Sequence, residues 1–273
     1  MTGIDLHIDP AGIAHLVMTR TDARNALSRD QAVRIARAAG ALNDNPAVRV
    51  AVLTSSMPEF FCVGADLKER RTLDEAGLME ARRDSWAATR ALLDLSMPTV
   101  AAVRGMALGG GLELALACDV IVGDTSTVVG LPETGIGIIP GGGGTQLLPR
   151  KIGCGRAAEL IFTGRRLGAE EAHRYGIVDV LDTQDAEAAA IRMAETVAAK
   201  SPAAQRNAKA AMRGGQDRLL SEALLCEDSY WRSSASSDDY REGLAAFSEK
   251  RPPVWPAPPA ARTPEIRIEG VTA

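Results

Sequence analysis

The pattern of the chain predicts an α/β protein, on three observations. Continuous apolar runs of strand length, VRVAVLTSS (48–56) and TVAAVRG (99–105), alternate with long helical patterns at 29–44 and 73–95. Uninterrupted runs of that kind suit strands buried on both faces. Glycine turns stand where a strand would feed a helix, at Gly64, at Gly109–Gly111 and at 141–144. Of the 273 residues 46% are hydrophobic and only 4% aromatic, so the core has to be built from Ala, Val, Leu and Ile.

In chain order, 3–9 and 12–19 alternate well enough to be two strands joined at Pro10-Ala11. A polar loop, TRTDARNALS, ends at Ser28, a good N-cap. The segment after it places Val33, Ile35, Ala36, Ala39 and Leu42 near one helical face. In MPEFFCVGADLKER (57–70), Gly64 separates a short apolar run from a helix start at Ala65-Asp66, with Asp66 itself suited to an N-cap or first-turn acid. A helix over 73–95 has Leu78, Trp86, Leu92, Leu93 and Leu95 among its apolar positions, and Pro98 closes it. TVAAVRG then leads into GMALGGGLELALACD (105–119), whose helix starts near Gly110. VIVG is a short strand, the glycines at 141–144 open another helix, two helices (153–163, 169–175) lead to a strand GIVDVL (176–181), and 185–247 reads as helix broken at Ser201-Pro202 and Gly214-Gly215. Six of the fourteen prolines fall between Pro252 and Pro264, marking an extended segment, and EIRIEGV (265–271) alternates like a strand. No internal sequence repeat is visible. Three regions follow: a core over 1–197, a helical region over 198–250 and a Pro-rich tail over 251–273.

Several function classes find no support. A net charge of −4 gives no electrostatic case for nucleic acid as the main partner. The four cysteines form no CxxC pair, and reduced thiols are expected. The first twenty residues lack the apolar core of a leader, and the most apolar window (106–122) carries Glu113 and Asp119, so a cytoplasmic protein without a membrane span is expected. No GxGxxG follows a strand, and GK[ST], HExxH and GxSxG are all missing, while His7, His15 and His173 stand alone. What remains is chemistry by carboxylates and backbone N–H groups.

The stretch around Gly110 supplies both. Glycine costs roughly 1 kcal/mol against alanine in a helix, so three in succession need a reason. One is close backbone approach to a ligand at a helix N-terminus whose N–H groups are free. The other is tight packing of a buried helix, with Glu113 as a first-turn dipole partner. Gly110 and Glu113, three apart, share a helical face. Glu133 is a second acid in apolar, Gly-rich surroundings, and burial together with a like charge raises carboxyl pKa values and divides acid from base. N–H groups at Ala65 and Gly110, if they converge on one oxygen, would stabilise an oxyanion or enolate. Such parts suit addition of water across a carbonyl-conjugated double bond. Sequence alone does not bring the four positions together.

A resemblance does. RTDARNALS (20–28), FFCVGADLKE (60–69), ALGGGLELALACD (107–119), GLPETGIGIIPGGGGTQLLPR (130–150) and ELIFTGRRLGAEEAHRYGIVDVL (159–181) resemble the successive motifs of the enoyl-CoA hydratase/isomerase (crotonase) superfamily, in order, over about residues 10–250. The resemblance implies a spiral of β-β-α turns with a C-terminal helical region, assembled as a homotrimer or as a hexamer of paired trimers. It implies Ala65 and Gly110 as oxyanion-hole donors and Glu113 and Glu133 as the two catalytic glutamates. Ala65, Asp66, Leu67 and Lys68 match the CoA-contacting segment, Arg24, Ala26 and Leu27 the loop near the CoA nucleotide end, Gly141 the acyl pocket and Lys250 a basic position that reaches a CoA phosphate in some members. No cofactor beyond the coenzyme A of the acyl-CoA substrate is implied, and no metal. Leu131 stands where straight-chain hydratases carry Gln two residues before the second glutamate, as in the methylglutaconyl-CoA hydratase branch, which the motifs resemble most and some of whose members bind AU-rich RNA.

The activity expected is therefore reversible hydration of a trans-2-enoyl-CoA. A Δ3,Δ2-enoyl-CoA isomerase would use the same acids. An RNA-binding reading rests on Arg29, Arg34 and Arg37 along one helix, against interspersed acids such as Asp30 and Asp44. An inactive scaffold is disfavoured, because no motif position is vacant.

Overall fold

The structure, a computed structural model, describes residues 3–255. Strands β1 (Ile4–Ile8) and β2 (Ile13–Met18) form the expected hairpin, with Ile4 opposite Met18. From β2 onward the first sheet is parallel: β3 (Val50–Ser55), β5 (Thr99–Val103), β7 (Val120–Gly123) and β10 (Val180–Leu181) follow in the order β1-β2-β3-β5-β7-β10. A second sheet runs β4 (Phe60–Cys62), β6 (Met106–Leu108), β8 (Val128–Gly130) and β9 (Arg166–Gly168), the last antiparallel.

The chain thus repeats one move: a strand in the large sheet, a short strand in the small one, then a helix. After β3 and β4 come α2 (Leu67–Arg70) and α3 (Glu75–Leu93); after β5 and β6 comes α4 (Gly110–Ala117); after β7 and β8, a 3-10 turn (Glu133–Ile136) precedes α5 (Gly144–Ile152) and α6 (Cys154–Thr163). The repeat leaves no mark in residue identity because each turn packs different side chains.

Every residue of β3 is buried, as its sequence demands, because the sheet is covered on both faces. Ala51 and Leu53 enter the main core, beside Leu16, Ala101 and Val103. Val50 and Val52 point the other way, to a second core closed by α8 (Ala186–Ala198), which presents Ala186, Ala190, Ala194 and Ala198 at helical spacing. On α1 (Arg29–Asn43) Ser28 caps the N-terminus through Gln31 N–H, and Ala32, Ile35, Ala38, Ala39 and Leu42 are buried, whereas Val33 and Ala36 lie at the edge of that face. Of the three arginines considered for RNA, Arg29 pairs with Glu80 and Asp84, and Arg34 with Asp30.

Three expectations need correction. TVAAVRG does not lead directly into the glycine helix: β6 intervenes, in the other sheet. The strand in 176–181 shrinks to Val180–Leu181, because Ile177 and Val178 fill the core from the turn after α7 (Ala169–Tyr175). The helical stretch 185–247 has a further break at Ser236-Ser237, where Ser237 caps a new helix. Leu78 and Trp86, among the apolar positions of α3, are exposed.

Helices α9 (Pro202–Gly215), α10 (Leu220–Ala235) and α11 (Asp238–Glu249) make up the C-terminal region. Lys209, only 4% exposed, ties it to the core, donating to Met97 O and to Asp119 Oδ2, both at 2.7 Å. Arg213 takes Asp119 Oδ1 at 2.7 Å. Burial raises the Asp119 carboxyl pKa, but the two cations outweigh it and hold it below the usual range. The Pro-rich stretch is described as far as Trp255, whose indole N–H donates to Ala199 O at 2.8 Å. The strand expected at 265–271 lies outside the described residues. No helix among the described residues is long and apolar enough to cross a membrane.

Candidate active site

The two glycine turns read from the sequence meet. Gly64 has φ +91, a conformation that L side chains rarely adopt. A Cβ there would stand 2.8 Å from Leu108 O and 3.3 Å from Gly110 N, so backbone packs directly on backbone. A parallel bridge joins Leu27 to Ala65: Leu27 N–H donates to Gly64 O at 2.7 Å and Asp66 N–H to Leu27 O at 3.0 Å. That pairing leaves the Ala65 N–H unused. Gly110 is the first residue of α4, where a helix has no partner for its N–H. Both residues line one cavity of about 850 Å³.

The three glycines at 109–111 divide the two roles between them. Gly111 serves packing, since a Cβ would fall 2.1 Å from Cys62 O. Gly110 faces the cavity. Glu113, one turn along α4, is 3% exposed, and its Oε1 accepts from Gly142 N–H at 2.8 Å and Gly144 N–H at 2.7 Å. The glycines at 141–144 therefore hold a carboxylate rather than a phosphate. Burial raises the Glu113 pKa, opposed by those two N–H groups and by Arg82 and Arg70.

Glu133 follows Pro132 at the start of the 3-10 turn. Its Oε1 lies 2.9 Å from the point a Gly109 Cβ would occupy, so the two acids flank the N-terminus of α4. Its Oε2 is buried with no hydrogen-bond partner among the described residues. Desolvation, reinforced by the charge of Glu113, pushes its pKa up to about 7. A carboxylate held by two N–H groups beside an unbonded carboxyl that titrates near neutrality is an arrangement able to divide base from acid.

Leu27, Ala65, Leu67, Gly110, Glu113, Glu133 and Gly141 all line the cavity; Arg24, Ala26, Asp66, Lys68 and Lys250 do not. Asp66 caps α2 through Lys68 and Glu69 N–H and pairs with Arg20 at 2.7 Å, the structural role its residue type suggested. Ala26 is buried, and its carbonyl accepts from Arg20. The Arg24 guanidinium lies over the Phe60 ring, 4.9 Å from its centroid. Lys68 is exposed on α2, and Lys250 is an exposed left-handed C-cap of α11.

Residue-by-residue reading missed three arginines in the cavity wall, Arg70, Arg82 and Arg166, none in a salt bridge among the described residues. For Arg82 the signal lay in α3: Leu78, Arg82, Ser85 and Thr89 fall three to four apart, with Trp86 beside them, on the face that turns to the cavity.

Residues 9–258 match the family model described as enoyl-CoA hydratase/isomerase. The mouse mitochondrial methylglutaconyl-CoA hydratase is 41% identical over 247 residues, covering 89% of this chain and 79% of that protein. The enoyl-CoA isomerase/hydratase fer4 of Mycosarcoma maydis is 40% identical over 261 residues, 92% and 95% of the two chains. Among solved structures, an enoyl-CoA hydratase from Bacillus anthracis superposes with a TM-score of 0.90 at 38% identity, covering 93% and 98%. With its alternating two-sheet spiral and these relatives over nearly its whole length, the chain belongs to the enoyl-CoA hydratase/isomerase family of enzymes and has the crotonase fold.

Proposed function

We propose that the protein hydrates a trans-2-enoyl-CoA to the 3-hydroxyacyl-CoA, with Glu113 and Glu133 as the acid–base pair and the Ala65 and Gly110 N–H groups as the oxyanion hole. The observation that carries this is the pair of carboxyls flanking two unengaged backbone donors in one cavity. The thioester oxygen sits against the two N–H groups, which draw the electrons of the double bond toward it. Glu113, ionised and held by Gly142 and Gly144, takes a proton from water as the oxygen bonds to the β-carbon. Glu133, protonated near neutrality, supplies the proton at the α-carbon. Coenzyme A enters as part of the substrate, and no step calls on another cofactor. Glu113→Gln and Glu133→Gln should each cut crotonyl-CoA hydration by at least about 10²-fold while CoA binds as before. Wild-type rates in both variants would sink the assignment. Isomerisation would need the same acids but no water; incorporation of heavy oxygen from labelled water into the product separates the two.

A narrower reading of the acyl group, toward the methylglutaconyl-CoA hydratase branch, is favoured by Arg70, Arg82 and Arg166. Three guanidinium groups that form no salt bridge among the described residues, in a cavity that also presents Leu67, Leu78, Met79, Trp86 and Ile136, suit an acyl chain that ends in a carboxylate. Arg82 Nε lies 3.8 Å from the Cβ point of Gly141, at the acyl end. Glutaconyl-CoA should then be preferred over 2-pentenoyl-CoA, and Arg82→Gln should erase the preference. Equal kcat/KM values in the wild type would dismiss it. The assembly we propose is a trimer or a hexamer of paired trimers. Leu220, Leu225, Trp231 and Phe247 on α10 and α11 are each more than 60% exposed in the single chain, and light scattering after gel filtration reads the mass directly.

A further inference from the structure

We propose that Asn25 is a positioning residue for the oxyanion hole: it staples the loop carrying Leu27 onto β3 and β4 and so sets the aim of the Ala65 N–H. This rests on the reading of Ala65 as an oxyanion donor. Asn25 is fully buried and outside the cavity wall, so it acts on the site through other residues. Its side-chain N–H groups donate to Ser55 Oγ at 2.7 Å, at the end of β3, and to Phe61 O at 3.0 Å, in β4. Its own carbonyl accepts from the Cys62 thiol at 3.0 Å. Ser55 Oγ in turn donates to Phe60 O at 2.7 Å. One side chain thereby fixes both strand ends that lead into Gly64.

The loop also runs in register with that segment. Val63 N–H donates to Arg24 O at 3.3 Å, then Leu27 and Gly64–Asp66 exchange the bridge described above. The loop reaches this register only because Arg24 and Asn25 both adopt left-handed backbone, φ 52 and 54. That conformation is unfavourable for L residues and least so for Asn and Asp. Two successive residues in it persist only where the surroundings over-determine them. The Asn25 Oδ1, buried with no partner among the described residues, shows that the amide is kept for its donors. If the staple is removed, the loop is free to relax, Leu27 shifts, and the Gly64–Ala65 peptide that it grips on both sides turns with it.

The test compares Asn25→Gly, which tolerates the backbone but loses the staple, with Asn25→Asp, which keeps the shape but cannot donate to Phe61 O. Ser55→Ala removes the β3 anchor, together with the Ser55 bonds to Phe60 O and Met57 N–H, and leaves the Asn25 bond to Phe61 O in place. Three quantities are read on folded protein: kcat and KM for crotonyl-CoA, the dissociation constant of CoA, and binding of acetoacetyl-CoA, whose ultraviolet-absorbing enolate is the form an oxyanion hole selects. Outright loss of one oxyanion donor costs about 10²–10³ in kcat, so misaiming one should cost about tenfold or more. Enolate binding should fall in parallel, with CoA affinity within about twofold. Should Asn25→Gly fail to fold, Ser55→Ala must show the same split, smaller in size. Unchanged kcat and enolate binding in a folded variant would overturn the proposal, as would a parallel loss of CoA affinity. An inactive wild type that still binds the enolate would overturn the hydratase reading and leave this one standing.

Discussion

Adding one methyl group at Gly142 tests whether the backbone cradle around Glu113 serves the base role proposed for it. An alanine Cβ there would lie 2.5 Å from Glu113 Oε2, 3.0 Å from its Cδ and 3.2 Å from Thr89 Oγ1. Since optimal contacts between heavy atoms lie near 3.5 Å, the carboxyl has to retreat by roughly 0.5–1 Å. Its bonds to Gly142 and Gly144, now 2.8 and 2.7 Å, would then stretch toward or past the limit of about 3.2 Å. Thr89 blocks an easy escape, because it packs on the same point. A displacement of about 1 Å at a reacting group costs on the order of 10²-fold in rate, and kcat for crotonyl-CoA should fall by that much. Overpacking also lowers stability by about 1–3 kcal/mol, so urea unfolding must show that the variant is folded at the assay temperature. Gly135→Ala is the control: nothing lies within 4 Å of its Cβ point. If Gly142→Ala kept kcat within about threefold of the control, the grip of the two N–H groups would be irrelevant to the rate and the reasoning would fail.

The remaining predictions address the acid, the C-terminal tether and the packing glycine. Because the Glu133 pKa lies at about 7 in the fold against an ordinary value of 4.5, the folded state holds an extra proton between those values; stability should therefore fall as pH rises through that window. Glu133→Gln, always neutral, should gain on wild type at pH 8 relative to pH 4, by on the order of 1–3 kcal/mol in urea titrations. If Glu133 is the acid proposed above, the hydration rate should fall above about pH 7 in wild type, and a flat profile from pH 6 to 9 would exclude that role. Asp119→Ala strands Lys209 in a buried site without its anion and should cost about 3–5 kcal/mol, with protease cutting first near 200–220; an unchanged unfolding midpoint would refute the tether. Gly111→Ala forces a methyl onto Cys62 O and should abolish soluble folded protein, whereas Gly40→Ala, mid-helix and unobstructed, should stabilise by about 0.5–1 kcal/mol.

What could be read in the residues was whatever depends on local chemistry. Ser28 and Asp66 sit at helix starts because a side-chain oxygen satisfies free N–H groups wherever it occurs. The apolar runs at β3 and β5 announced strands with two covered faces, and the covering helix α8 carries the alanine stripe that such a face needs. The small sheet stayed hidden because its strands are two or three paired residues long, too short for any period to show, and Met106–Leu108 merges by composition into the helix that follows. At the site, Glu113 and Glu133 stood out as lone acids in apolar surroundings, a costly placement unless used. The arginines opposite them did not, since Arg82 on an amphipathic helix looks like any solvated charge until the partner of that face is known. Asn25 is the sharpest case. In the sequence it is one polar residue in a polar loop, and only the fold shows that its amide bonds both Ser55 at the end of β3 and Phe61 in β4, beside the turn that carries Ala65. Local chemistry is legible residue by residue, but a positioning role is a relation between segments, here separated by thirty and thirty-six residues along the chain, and the relation exists only once the chain has closed.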